Sequence, residues 1–191
     1  MPNLRAKVTA LVVSAAGLAS FITYEGLKEM AYIPVKGDKV TIGVGSTQYE
    51  NGAPIQMGDT VTKERAVILF KNTLGIYELA VKKCVTVPLY PYEFDAYVSL
   101  TYNIGGTRFC KGLIPVKLTA FDYAGACKEI LRYNQFQGRV LRGLEIRRQD
   151  EYKTCIGAKE KDYALKMLVN NAEKLNAGSL PTTKIEEKGS K

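Results

Sequence analysis

The chain has no histidine among its 191 residues. That absence removes imidazole acid–base catalysis, a Ser-His-Asp triad and histidine-rich metal sites. Any chemistry must rest on carboxylates, Lys, Tyr, Cys or Ser/Thr. No C-x-x-C pair occurs either. Cys84, Cys110, Cys127 and Cys155 are scattered, which argues against zinc-binding and thioredoxin-like readings. An even count of separated cysteines fits disulfides in an oxidising compartment, with four buried thiols as the alternative. Acids are in deficit: 27 Lys and Arg against 19 Asp and Glu leave a net charge of +8. This surplus favours a polyanionic partner, such as nucleic acid, anionic lipid or an anionic cell wall, or it serves solubility alone. There is no internal repeat. The length suits one domain, of one or two lobes, with a substantial core.

No acid precedes Glu25. "MPNLRAKVTALVVSAAGLASFITY" carries Arg5 and Lys7, then 17 uncharged residues from Val8 to Tyr24, the low end of a membrane span. Basic residues before the run and Glu25 after it predict a cytoplasmic N-terminus with the rest of the chain exported. The run is only weakly apolar. Val8, Leu11, Val12, Val13, Leu18, Phe21 and Ile22 each favour insertion by roughly 0.3–0.6 kcal/mol, while Thr9, Ser14, Gly17, Ser20, Thr23 and Tyr24 oppose it. Such a segment can enter a bilayer and also leave it. Three readings compete. One is a signal peptide cleaved near Gly17-Leu18-Ala19, another a permanent anchor, and the third a buried helix of a cytosolic protein.

"Asp38-Lys-Val-Thr-Ile-Gly-Val-Gly" alternates and is rich in β-branched residues, and Asn51-Gly52 is a turn signal. A small hairpin or three-stranded sheet is expected between about 36 and 58. Thr62 reads as an N-cap with Glu64 in the first turn. Behind it Ala66, Val67, Leu69, Phe70, Leu74, Tyr77, Leu79 and Val81 predict a helix of about six turns, interrupted by Gly75 and able to bridge two lobes. From Pro91 the chain reads as helices: one ending at Gly105-Gly106, short ones near 112–119 and 122–134, and a strong one over about 142–155. After Gly157 the composition turns polar. A surface helix over 158–175 and a disordered tail are expected.

Gly43 and Gly45 lack the third glycine, the Walker lysine and the following helix of a phosphate loop, so close packing or a bulge in a twisted hairpin explains them better. Glu25, Asp38 and Thr41 are more informative. Two carboxylates across a cleft are the apparatus of glycoside hydrolysis. Glu25 falls near the end of the first helix against apolar neighbours, a setting that suits a proton donor. Asp38 and Thr41 lie in one extended stretch, where their odd spacing puts them on opposite pleats unless the backbone turns at Gly37.

"Tyr24-Glu-Gly-Leu-Lys", "Ala31-Tyr32" and "Thr41-Ile-Gly-Val-Gly-Ser-Thr" resemble the active-site signature of phage-type lysozymes, glycoside hydrolase family twenty-four. So do "Ala96-Tyr-Val-Ser-Leu-Thr-Tyr-Asn-Ile-Gly-Gly", "Asp122-Tyr-Ala-Gly-Ala-Cys" and "Gly143-Leu-Glu-Ile-Arg-Arg", over roughly residues 20–157. The resemblance implies an α+β, mostly helical fold of two lobes: a small β lobe, a long connecting helix and a helical C-terminal lobe. It implies hydrolysis of the β-1,4 bond between N-acetylmuramic acid and N-acetylglucosamine in peptidoglycan. Glu25 matches the general acid, and Thr41 matches the residue that positions the attacking water. The family's third residue, usually Asp, falls on Pro34 here. Asp38 is expected to replace it, and Ser46 stands where the family has histidine. Tyr32, Asn103, Arg147 and Arg148 are the expected substrate-binding residues; the two arginines could instead pair with Glu25, and arginines at such positions are commonly solvated helix-face residues.

Some lysozymes of this family carry a signal-anchor-release segment. The chain is similar there, which implies a segment 1–24 that becomes the first helix on release, a catalytic domain 25–157 and a polar extension 158–191. Glu25, attached at the segment's edge, cannot be correctly placed while the segment is in lipid. The expected course is export, tethering to the inner membrane and release into the host periplasm. A periplasmic location favours disulfides; of three connectivities, Cys84–Cys110 with Cys127–Cys155 is the expected one. No cofactor, no metal and no nucleic acid are expected, and the protein should act as a monomer on peptidoglycan. A lytic transglycosylase and a catalytically decayed wall-binding module are the competing functions.

Overall fold

The computed structural model describes residues 4–158. The polar extension beyond them, including the expected surface helix, lies outside the described residues. Near the N-terminal end of the described residues Ala6 pairs with Leu89 in an antiparallel bridge, and a 3-10 turn spans Val8–Ala10. Helix α1 (Ala15–Glu25) follows, capped by the Ser14 hydroxyl, which accepts from the Gly17 N–H. Ser14 in turn donates its hydroxyl and its backbone N–H to Asp95. Gly17 permits this approach, since a Cβ there would lie 2.6 Å from Asp95 Cγ. Val8, Leu11 and Phe21 enter the main core. The N-terminal apolar run is thus part of the folded unit, and among the described residues no helix is long and apolar enough to cross a membrane.

The β lobe pairs β1 (Lys28–Tyr32) antiparallel with β2 (Thr41–Gly43), with an irregular register between Lys28 and Tyr32. Isolated bridges Ile42↔Ser46 and Gln48↔Pro54 continue the sheet. It therefore starts at Lys28, earlier than the residue-36 boundary expected from β-branched content. The segment "Lys-Glu-Met-Ala-Tyr" is built of helix formers, and pairing with β2 overrides that preference.

Helix α2 (Lys63–Cys84) runs unbroken through Gly75 and links the lobes, N-capped by Thr62 as expected. The helical lobe holds α3 (Pro91–Ile104), α4 (Gly106–Cys110), α5 (Leu113–Thr119), α6 (Tyr123–Glu129) with a following 3-10 turn at Ile130–Arg132, and α7 (Arg142–Cys155). A short hairpin, β3 (Gln135–Phe136) and β4 (Arg139–Val140), precedes α7; nothing in the sequence reading anticipated it. Pro91 opens α3, and the Glu93 carboxylate reaches back to the Tyr90 N–H at 2.8 Å. The core of this lobe is a continuous apolar cluster from Leu74 and Val81 of α2 through Phe94, Tyr97 and Leu100 of α3 to Ile114 and Ile130. Two disulfides pin it, Cys84–Cys110 between α2 and α4 and Cys127–Cys155 between α6 and α7. This is the expected connectivity. Each closes a loop of under thirty residues, which restricts the unfolded chain by roughly 3–4 kcal/mol per bridge.

Candidate active site

Glu25 is the last residue of α1. Gly26 ends the helix at φ +74°, a left-handed turn that disfavours any side chain, and its N–H closes on the Ile22 carbonyl. The glutamate is therefore delivered at the point where the chain leaves the helical lobe for β1. Its side chain is 26% exposed, and its Oε1 accepts from Arg147 Nη1 at 2.8 Å. The Arg147 guanidinium also lies 5.0 Å from the Tyr24 ring centre, and its Nε donates to Glu151 Oε1 at 3.2 Å.

Beneath this pair sits a buried network. Glu151 accepts from Ser99 Oγ at 2.7 Å and from Arg148 Nη2 at 3.0 Å, and Arg148 Nε stands 2.8 Å from its other oxygen. Burial pushes the Glu151 carboxyl above its ordinary range, against the pull of Arg148. Burial likewise lowers the Arg148 guanidinium from its usual value. Arg148 is fully buried and also donates to Asn103 Oδ1 at 3.1 Å. The expectation of Arg148 as a glycan contact gives way to a scaffold role, because its charge is consumed inside the protein by Glu151. Asn103 itself is exposed. Tyr24 donates its hydroxyl to Asp150, which fixes the ring next to Glu25.

In the β lobe, Tyr32 and Thr41 are cross-strand partners of β1 and β2. Thr41 is 4% exposed, and its hydroxyl donates to the Lys39 carbonyl at 3.0 Å. Burial, and then the Glu25 charge, raise the Tyr32 phenol above its ordinary range. The same two causes raise Tyr102. Tyr32 and Tyr102 therefore both lie within electrostatic reach of Glu25. Tyr102 belongs to an edge-to-face cluster with Phe21, Phe70 and Tyr77, at ring separations of 5.0–5.8 Å. Its hydroxyl stands where a Cβ on Gly45 would be, and Gly45 has φ +91°. That close approach, rather than phosphate binding, accounts for the glycine. Ser46 is buried and bonds Thr73 Oγ1 at 3.2 Å; since Thr73 donates to Leu69, Ser46 is the donor.

Asp38 lies in the exposed loop between β1 and β2, where its N–H closes a turn on the Val35 carbonyl. Its carboxylate makes no hydrogen bond or ion pair among the described residues. Pro34 lies in the same loop. Tyr24, Tyr102 and Glu151 were not singled out from the sequence. The i, i+3 and i, i+4 spacing of Arg148 and Arg147 to Glu151 was the available signal for the last. No cluster of His, Cys, Asp or Glu among the described residues could hold a metal ion.

A glutamate at a helix end within electrostatic reach of Tyr32 in the β lobe, with a long helix joining two lobes, fits a glycoside hydrolase of the lysozyme class. The sequence profile of the family described as phage lysozyme matches residues 22–151, and the chain belongs to that family. An endolysin of Acyrthosiphon pisum secondary endosymbiont phage 1 is 32% identical over 143 residues, 73% of this chain and 94% of that protein. A SAR-endolysin of Escherichia phage Mu is 30% identical over 156 residues, 78% of this chain and 88% of its own length. Among solved structures, an endolysin from Escherichia coli O157:H7 phage FAHEc1 superposes with a TM-score of 0.71 at 29% identity, covering 81% of this chain and 98% of that one.

Proposed function

We propose that the protein is an endolysin that hydrolyses the β-1,4 bond between N-acetylmuramic acid and N-acetylglucosamine, and so lyses the host cell. The observation that carries this reading is Glu25 held by Arg147 opposite the Tyr32–Thr41 pair. Arg147 occupies Oε1, which leaves Oε2 to deliver a proton to the leaving glycosidic oxygen. The Thr41 proton is committed to Lys39, so its hydroxyl can only accept from an incoming water. That water would be oriented with a lone pair free to attack. Asp38 is the base in this scheme and takes the second proton of the water. An inverting course requires its carboxyl to stand roughly 6.5–9.5 Å from that of Glu25 when substrate is bound. Tyr32, Asn103 and Arg147 border the glycan.

Residues 1–24 act as a signal-anchor that tethers the exported enzyme to the inner membrane until release into the periplasm. Weak hydropathy, the SAR-endolysin relative and the packing of Val8, Leu11 and Phe21 into the core support this. Residues 25–157 are the catalytic domain, 158–191 an extension, and the protein works as a monomer on peptidoglycan. The test is solubilisation of purified peptidoglycan by wild type, Glu25→Gln and Asp38→Asn. Loss of turnover in both variants is expected. Full activity of Asp38→Asn would remove Asp38 from the mechanism, and turnover by Glu25→Gln would overturn the whole scheme.

A further inference from the structure

Glu25 and Glu151 draw on one guanidinium. Arg147 donates Nη1 to Glu25 Oε1 at 2.8 Å and Nε to Glu151 Oε1 at 3.2 Å. Its Nη2 is buried and meets no acceptor among the described residues. Arg147 therefore serves two opposed ends. It fixes the Glu25 side chain, yet an arginine at hydrogen-bond distance favours a carboxylate over a carboxylic acid. A proton donor has to hold its proton at the working pH. The opposing charge stands on the other side of the guanidinium. Glu151 is buried, and Ser99, Arg147 and Arg148 all donate to its Oε1. Burial works against its charge, while three donors on one oxygen favour the ionised form. Arg147 and Arg148 carry two positive charges, and Glu151 offsets one of them before they act on Glu25.

The remaining groups around Glu25 do not share this arginine. Tyr32 of β1 and Tyr102 of α3 lie within its electrostatic reach and are neutral phenols. Lys28 of β1 is exposed, lies 4.0 Å from the Tyr32 ring centre and adds positive charge. Asp150 of α7 receives the Tyr24 hydroxyl. Glu25 and Glu151 are the two carboxyls hydrogen-bonded to Arg147 among the described residues. We infer that Glu151 is a positioning residue for the reaction: it takes up part of the Arg147 charge, so that Arg147 holds Glu25 in place without depriving it of the proton it delivers. The inference rests on the reading of Glu25 as the general acid and names what tunes that residue. Because Glu151 and Arg148 are buried, salt should screen the coupling little.

Glu151→Gln and Arg148→Met change the charge facing Glu25 in opposite senses, and the amide of the first keeps an oxygen for Ser99 and Arg147. On peptidoglycan, the pH at which kcat/KM falls on the alkaline side should move down by about one unit in Glu151→Gln and up in Arg148→Met, at low and high salt alike. At neutral pH Glu151→Gln should lose about tenfold in kcat/KM. A merely structural role would lower activity in both variants and leave the pH of the fall unmoved. That result overturns the inference, as does movement of both variants in one direction. Carbon NMR of the Glu25 carboxyl, assigned with Glu25→Gln, reads the same quantity without turnover. In wild type its titration should show a second inflection at the pH where the Glu151 signal titrates. A single inflection overturns the inference even where neither variant folds. Should wild type release nothing from peptidoglycan, the muramidase reading fails, while the NMR titration still decides whether Glu151 acts on Glu25.

Discussion

Arg147 Nη1 donates to Glu25 Oε1 at 2.8 Å and joins the last residue of α1 to the middle of α7, 122 residues away in sequence. The position of the acid is therefore set by how the two helices pack. Arg147→Ala should lower kcat by about a hundredfold through misplacement of the carboxyl, with a smaller change in KM. Arg147→Lys should recover part of the loss. Steady-state kinetics on solubilised glycan strands checks this; an unchanged kcat in Arg147→Ala would show that Glu25 is placed without it.

Glu151 neutralises Arg148 inside the protein. Glu151→Ala leaves a buried guanidinium without a counter-charge and should cost about 3–5 kcal/mol. Denaturant unfolding of the variant, with its disulfides intact, measures the loss. Arg148→Met combined with Glu151→Leu removes both charges and should be far less destabilising than either single charge removal.

Arg5 links the N-terminal segment to the helical lobe. Its guanidinium makes two bonds to Glu93, at 2.8 and 3.1 Å, and lies 3.6 Å from the Tyr123 ring centre and 4.3 Å from that of Tyr90. Arg5→Ala should destabilise the protein by about 1–3 kcal/mol and expose residues 4–13 to proteolysis. Limited proteolysis with mass spectrometry checks it; equal protection of variant and wild type would contradict it.

Three exposed carboxyls are held below their ordinary range: Asp122 first by the Gly125 N–H, Glu50 by its own backbone N–H and then Arg65, and Glu64 by its own backbone N–H and then Thr62. A depressed folded value contributes stability above the unfolded value near 4, and that contribution is lost as pH falls through the folded one. The melting midpoint should fall with pH below about 4 for this reason. Asp122→Asn should flatten that fall, in melts recorded from pH 6 to pH 3. An equally steep fall in the variant would exclude the Asp122 contribution.

Local chemistry made much of this fold readable. Thr62 caps α2, Pro91 starts α3, and apolar spacing marks the faces of both helices. Tertiary pairing decided the rest. β1 is written in helix-forming residues and becomes a strand only because β2 lies beside it. The β3–β4 hairpin is too short, at two residues per strand, to leave a periodic signal. In the site, Glu25 and Thr41 stand out through a recognisable signature. The adjacent arginines of "Glu-Ile-Arg-Arg" look equivalent in sequence, yet their one-residue offset on a helix sends Arg147 to Glu25 and Arg148 into the core. Tyr102 was hidden in a motif most of whose members are buried in α3.

The most direct test of the central claim is end-group analysis of the fragments released from purified peptidoglycan by wild type and Glu25→Gln. The account predicts reducing N-acetylmuramic acid ends from wild type and none from Glu25→Gln. Anhydro-muramoyl ends would contradict it, because they arise without an attacking water and would make the enzyme a lytic transglycosylase.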